Sequence, residues 1–423
     1  MRVWRCTQGI VGLGLYCTDG KGDSYFLATT ALKTIASPVS LRFEWKEMYR
    51  SSKPSLRRNR DGNGESFESF NASVSQRVGQ IANQLILHDY KFSLLTPFFA
   101  PKPNGKERLI CVPTIQDRLV QRTIYRHLSN GKYSFDNAIS YGFISGKSTK
   151  CALGAALRER KKFAWVYKAD ISSFFDSIDR DLLKEKLRAK VRLQTLHSIL
   201  DSVINTEVNL SNPSDRKKIR ELEIRNGRGL RQGMPLSPYL SNLFLWDFDH
   251  FLIKKGIRAI RYADDIIAFG SSQDECLDIH DICSNAIAGL GLHIHPIEPG
   301  GKTEIYAPDT TAEFLGQGIA RSDHEYYLTV NKPQVENIKS RISQYGDFKF
   351  LSEKRITIGK LIQKLDAMIG GYSEVYSDCQ NVDKVIQAIQ DHRVVVLSKL
   401  FSKMGIDVSK LTKDQKAFLD IPK

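Results

Sequence analysis

A chain of 423 residues with 62 lysines and arginines against 47 aspartates and glutamates, formally +15 at neutral pH, can bury a sizeable core in two or three subdomains. That charge suits a polyanionic partner. Seven cysteines without a CxxC pair argue against a zinc site or a disulfide framework, and no apolar run is long enough to span a membrane.

Along the chain, Met1-Arg2-Val3-Trp4-Arg5 and the short apolar stretch 10–16 only imitate a signal peptide, without a cleavage site, so a cytoplasmic location is expected. Residues 163–167 form an apolar run that predicts a strand delivering Asp170 at its end, followed by a helix over 172–187 with Asp179 and Asp181 near its start. Residues 208–229 read as a charged connection. Next comes Arg231-Gln232-Gly233-Met234-Pro235-Leu236-Ser237-Pro238, where Gly233 allows close backbone approach and Pro238 suits the start of an apolar helix over 239–251.

The most informative run is Tyr262-Ala263-Asp264-Asp265. Two adjacent carboxylates lie within the apolar stretch 260–269, where burying like charges is costly unless a cation neutralises them. The flanks predict two short strands meeting at a tight turn, with both acids at the hairpin tip within reach of a divalent metal. An isolated Asp-Asp turn is most often a solvated surface feature, and a lone aspartate after a strand is usually a helix cap.

Helical stripes follow: Val335, Ile338, Ile342 and Tyr345 after Lys332-Pro333; Leu361, Ile362, Leu365 and Met368, closed by Gly370-Gly371; and Val385, Ile386, Ile389 and Val395 within 382–404. Lys339, Arg341, Lys360, Lys364, Lys399 and Lys403 are placed to face a duplex. The basic clusters 53–60, 158–162 and 217–231 lie outside the apolar runs, and each alone reads as a solvated face.

Taken in order, Asp170 with Phe175, Gln232-Gly233 with Ser237-Pro238, and Tyr262 with Asp264-Asp265 resemble the motifs of reverse transcriptases. Lys102-Pro103-Asn104-Gly105-Lys106-Glu107-Arg108, Val112-Pro113-Thr114 and Asp117-Arg118-Leu119-Val120-Gln121 are similar to the fingers of bacterial and group II intron members. Tyr141-Gly142-Phe143-Ile144-Ser145-Gly146-Lys147-Ser148 resembles their next block, and Lys302-Thr303 and Glu313-Phe314-Leu315-Gly316 their later palm motifs. Residues 41–70, with Trp45 and Asp61-Gly62, resemble the beginning of these proteins, so the likeness covers roughly residues 41–320.

The resemblance implies an α+β right-hand polymerase: an N-terminal extension of undecided role over 1–40, fingers over 41–150, a palm of small antiparallel sheet plus helices over 151–320, and a helical thumb over 321–423. It implies nucleotidyl transfer with two Mg²⁺ ions, for which Mn²⁺ can substitute, held by Asp170, Asp264, Asp265 and the Ile171 carbonyl. Phe175 would exclude a 2′-hydroxyl and so select dNTPs. Lys102 and Arg108 would contact the triphosphate, Gln232 and Gly233 would support nucleotide and template, and Lys302 would protonate the leaving group. The Pro296–Gly301 stretch is longer than the family's usual loop, and Ile144 stands where relatives often carry arginine.

Group II intron proteins usually add a further segment after the thumb, for which about 100 residues leave no room. Retron enzymes carry Asn-Ala-x-x-His and Val-Thr-Gly, whereas Asn285-Ala286 here lacks the histidine and Val-Thr-Gly is missing; diversity-generating enzymes have Ser-Gln at Ser237-Pro238. The chain resembles the stand-alone, defence-associated (unknown group) bacterial enzymes, in particular their type 2 branch. The expected partners are a structured non-coding RNA template, dNTPs, the cDNA product and an RNA–DNA hybrid, with no membrane and an undetermined oligomeric state; some members copy the RNA repeatedly into concatenated cDNA. Open alternatives are a retroelement enzyme serving mobility, an untemplated DNA polymerase, an RNA-dependent RNA polymerase and a nonenzymatic RNA-binding protein.

Overall fold

A computed structural model describes residues 31–419 apart from 102–104, 106 and 130. The chain divides into two units: one takes the chain up to Leu128 with 184–216 and 233–236, and the other takes 129–183, 217–232 and the chain from Ser237 onward.

In the first unit, Ser37 accepts from the Val39 amide and a proline follows, which starts the helix Pro38–Ser51. Its inner face buries Leu41, Trp45 and Met48 together with Glu44, which is 1% exposed. Glu44 is matched by Arg122 at 2.5 Å and Arg126 at 2.6 Å, both from the helix Ile115–Leu128. Trp45 packs on Phe67 and Phe70 and donates to Asn71 Oδ1 at 3.0 Å. Asp61 accepts from Ile115 N at 2.7 Å, which caps the helix that Ile115 opens. Strands β1 (Thr96–Pro101) and β2 (Glu107–Val112) pair antiparallel, with Ala100 opposite the exposed Arg108. Lys102 lies outside the described residues.

The second unit holds an antiparallel sheet of β3 (Trp165–Asp170), β4 (Ala259–Tyr262), β5 (Asp265–Gly270) and β6 (Glu304–Tyr306), in the order β4-β5-β3-β6. Both faces are covered. Val166, Ile267 and Phe269 join the core that includes Ala152 and Ala156, whereas the Tyr167 hydroxyl meets His280 of the helix Gln273–Ala288 at 3.1 Å. Two-sided burial explains why these strands read as unbroken apolar runs rather than alternating ones. A second sheet, β7 (Ala312–Phe314), β8 (Gln317–Ser322) and β9 (Glu325–Thr329), is a meander. Its Ile319 and Leu328 share one core with Ile338 and Ile342 of Lys332–Ser343, Leu361 and Leu365 of Ile358–Val375, and Val385 and Ile389 of Val382–Lys403.

The α+β class with small antiparallel sheets is as expected. Two local expectations change. The helix predicted over 172–187 is two helices, Phe174–Ser177 and Arg180–Lys190, because Asp179 Oδ1 accepts from the Asp181 and Leu182 amides at 2.9 Å and starts a new one. Gly370-Gly371 does not close its helix, which runs on to Val375. Neither glycine has a positive φ, so each adds only about 1 kcal/mol of helix penalty.

Candidate active site

β3 and β5 bring the carboxylates together. Their register sets Asp170 opposite Asp265, and Tyr262 pairs with Asp265 across the hairpin, leaving Ala263-Asp264 as the two-residue tip. The Ile171 amide donates to Asp264 O at 3.3 Å, tying the tip to the end of β3. Asp170, Asp264 and Asp265 are all half-buried, whereas Ile171 is buried. Burial first, then the negative charges of Asp170 and Asp264, push the Asp265 carboxyl up to about 6.

Lys302 reaches this cluster, with Nζ 3.1 Å from Asp170 Oδ2. Its long connection folds back on itself: Gly301 N bonds Glu298 O at 2.9 Å and Glu298 N bonds Thr303 O at 2.9 Å. The extra length is thereby taken up in a closed turn that itself carries Lys302. His295, which the sequence did not single out, stands with Nε2 3.9 Å from Asp170 Oδ2, and its amide bonds Asp170 O at 3.3 Å. Among the described residues no three His, Cys, Asp or Glu side chains are already gathered as a ligand set. The donors nevertheless fit a divalent cation: Asp170 and Asp265 face each other across paired strands with Asp264 at the adjoining tip, burial and then the others' charge drive Asp265 toward protonation, and an ammonium group stands against Asp170.

The turn is held by a buried network. Ala263 has φ 58, a left-handed geometry costing about 1–2 kcal/mol for a residue with a Cβ. Arg261, 1% exposed, donates through Nη1 to Ala263 O at 2.9 Å and to Asn242 Oδ1 at 3.2 Å. Its Nη2 donates to Ser140 Oγ at 3.0 Å and Asp249 Oδ2 at 2.5 Å, and its Nε to Asp249 Oδ1 at 2.6 Å. Asn242 Nδ2 donates to Gly142 O at 2.9 Å, and a Cβ on Gly142 would lie 2.5 Å from Ala263 N. Only glycine fits there. The one available sequence signal was Arg261 itself, a charge inside an apolar strand.

Phe175 is half-buried and stands edge-on to the buried Phe174 at 5.2 Å. Its carbonyl accepts from Leu230 N at 2.7 Å, and Ile178 O from Gly229 N at 2.9 Å. Gly229 has φ 78 and no room for a Cβ against the Asp176 backbone, 2.7 Å away. Arg180 Nε donates to Gly229 O at 2.8 Å. The segment leading to Gln232 is thus fastened to the one carrying Phe175. Gly233, like Arg108, belongs to the first unit; with φ 106, its Cβ position lies 2.6 Å from Cys111 O on β2.

Among solved structures, the chain is similar to telomerase from Candida albicans in complex with a fragment of telomeric RNA, with 12% identity and a TM-score of 0.41, covering 84% of this chain and 68% of that one. The Escherichia coli K12 protein YkfC is 27% identical over 163 residues, which are 36% of this chain and 39% of YkfC. The group II intron-encoded protein LtrA of Lactococcus lactis subsp. cremoris is 26% identical over 157 residues, 37% of this chain and 25% of LtrA. The chain thus matches well under half the length of these curated relatives. The family model described as reverse transcriptase (RNA-dependent DNA polymerase) matches residues 100–319, a stretch that holds the carboxylate hairpin, Lys302 and the Arg261 network. With just over half of its length matched, the chain belongs to the reverse transcriptase family.

Proposed function

We propose that the protein is an RNA-directed DNA polymerase that copies a structured partner RNA into cDNA, in antiphage defence. The carrying observation is Asp170 facing Asp265 across β3 and β5 with Asp264 at the adjoining tip, inside a stretch that matches the reverse transcriptase family. Asp170, Asp264, Asp265 and the Ile171 carbonyl would hold divalent ions, Mg²⁺ first and Mn²⁺ as substitute. Bound there, the ions supply the positive charge that activates a primer 3′-hydroxyl and steadies the triphosphate.

The chain's own residues do the rest. Lys302, an ammonium group 3.1 Å from Asp170 Oδ2, holds a proton that it can give to the departing pyrophosphate. Phe175 presents its ring to the sugar and excludes a 2′-hydroxyl, which selects dNTPs. Arg108 and Lys102 meet the triphosphate; Gln232 and Gly233 support the nucleotide and template base. Residues 41–150 serve as fingers, 151–320 as palm and 321–423 as thumb. The defence role rests on the sequence pattern: Asn285-Ala286 without the retron histidine, no Val-Thr-Gly block, and Ser237-Pro238. Repeated copying into concatenated cDNA is the form of that role we favour.

The test is to express the chain with its native flanking DNA, purify it, and sequence the nucleic acid that accompanies it, beside an Asp264→Ala, Asp265→Ala variant. One discrete RNA in both samples with complementary DNA in the wild type alone is the expected result; tandem repeats in that DNA would support concatenation. RNA without dependent DNA, with and without phage, would move the reading to a nonenzymatic RNA-binding protein.

A further inference from the structure

At the far end of β3, about 17 Å along the strand from Asp170 at the usual rise per residue, lies a solvent-open cavity of about 330 Å³. Arg160, Lys161, Lys162, Arg321, His324 and Glu325 line it, so four cationic side chains face a single carboxylate. Arg160 ends the helix Thr149–Arg160 and is fully buried. Its guanidinium donates to the carbonyls of Ile319 at 2.5 Å, Thr310 at 2.5 Å and Ala307 at 3.2 Å. Its Nε has no partner among the described residues. Burial, opposed by the nearby Tyr326 and Tyr306 and aided by the like-charged Arg321, pushes its guanidinium below the usual range.

A buried cation answered by carbonyl dipoles and an aromatic ring, without a carboxylate hydrogen-bonded to it, is costly and favours an anion nearby. Arg160 and Arg321 both lie over the Tyr326 ring, 4.8 and 5.5 Å from its centroid, and the Tyr326 hydroxyl is used on Pro308 O at 3.0 Å. The ring therefore braces two guanidinium groups rather than offering an open face to a base. Arg321 also pairs with the exposed Asp309 at 3.2 Å, and Lys162 with Glu159 at 3.0 Å. Each of these pairs has one well-exposed partner, Asp309 and Lys162, and such pairs are worth little and yield readily to a phosphate.

We propose that this cavity is a phosphate-binding site, separate from the carboxylate cluster, that seats a backbone phosphodiester of an RNA strand. Four of its lining side chains are cationic, which suits sequence-independent contact with a backbone phosphate, and its open mouth lets a strand enter and leave. The site does not depend on polymerase activity and would serve an RNA-binding protein equally.

The test uses the full chain and a fluorescein-labelled 20-nucleotide single-stranded RNA, with anisotropy followed from 50 to 200 mM KCl. The pocket variant is Lys161→Gln, Lys162→Gln, Arg321→Gln. The charge-matched control is Lys254→Gln, Lys255→Gln, Lys384→Gln, all exposed. Relative to the control, the pocket variant should bind roughly fivefold more weakly at 100 mM, with a salt slope shallower by about 0.7, as expected for one lost single-strand phosphate contact. Equal affinity and slope in the two variants would overturn the proposal in favour of diffuse charge. Calorimetry with inorganic phosphate and pyrophosphate separates the sources. A one-to-one heat that vanishes in a pocket variant whose RNA affinity equals the control's would assign the cavity to a free anion and refute the strand.

Discussion

Replacing Asp249 by asparagine tests whether the buried network aims the carboxylate turn. Asp249 is fully buried and accepts Arg261 Nε at 2.6 Å, Arg261 Nη2 at 2.5 Å and Asn137 Nδ2 at 2.8 Å. An asparagine of the same shape must point its NH₂ at one of those donors, and it leaves Arg261 charged and buried without a counterion. Breaking a buried pair from one side costs about 3–5 kcal/mol. In a unit of this size that lowers the thermal midpoint by roughly 6 to 20 °C. The apolar pair Asp249→Leu, Arg261→Met removes both charges and should recover much of that loss. It should not recover primer extension, because the Ala263 carbonyl and Asn242 lose their donor. Circular dichroism melts and single-nucleotide extension on a template–primer separate the two effects. A midpoint drop in Asp249→Asn equivalent to less than about 1 kcal/mol, or full extension by the double variant, would refute the reasoning.

Gly142→Ala should cut extension by at least about tenfold, since its Cβ would stand 2.5 Å from Ala263 N and push the turn off its geometry; steady-state extension rates check it. Gly233→Ala should lower the melting midpoint by the equivalent of about 2 kcal/mol, because φ 106 and the 2.6 Å approach to Cys111 O both oppose a side chain. Lys302→Met should reduce kcat by roughly 10²-fold, in the range of a lost general acid, yet leave the melting midpoint within about 1 °C, the side chain being 68% exposed. Phe175→Ala should admit rNTPs, read as a fall in the dNTP-to-rNTP ratio of kcat/KM; unchanged selectivity would remove Phe175 from the gate.

Much of the site was legible because its chemistry is written in short stretches of chain. A strand ending in Asp170 and an acid-bearing hairpin follow from apolar runs interrupted by acids, although only Asp264 sits at the tip and Asp265 opens β5, where the register sets it against Asp170. Lys302 was singled out by resemblance as a proton donor to the leaving group, its contact with Asp170 was not foreseen, and the Glu298–Thr303 bond shows how the loop's length is absorbed. What escaped notice depends on distant partners. Arg261 was visible as a charge in a strand, but Asp249, Asn242, Ser140 and Gly142 come from other segments, and no spacing joins them. His295 arrives through the bridge of Ile171 with Ile294, and one pairing of that kind has no periodicity to read. Asp179 was placed inside a helix it actually starts, since a cap and an interior acid look alike without the Asp181 and Leu182 amides.

The antiparallel pairing of β3 with β5 also limits where the protein can vary. Side chains alternate faces along a strand, so slipping that register by one residue would set Ile266 against Asp170 and turn every buried group of β5 toward the wrong layer. The alignment that builds the core therefore also builds the acid cluster, and a molecule with misaligned strands would be inert rather than altered in specificity. A residue inserted at Ala263-Asp264 would lengthen the hairpin by the same amount that separates a working register from a useless one. The connection that carries Lys302 escapes this constraint, because its excess chain closes into a turn between Glu298 and Thr303. Changes in rate or substrate range would thus accumulate in loops such as that one, around a hairpin that stays fixed.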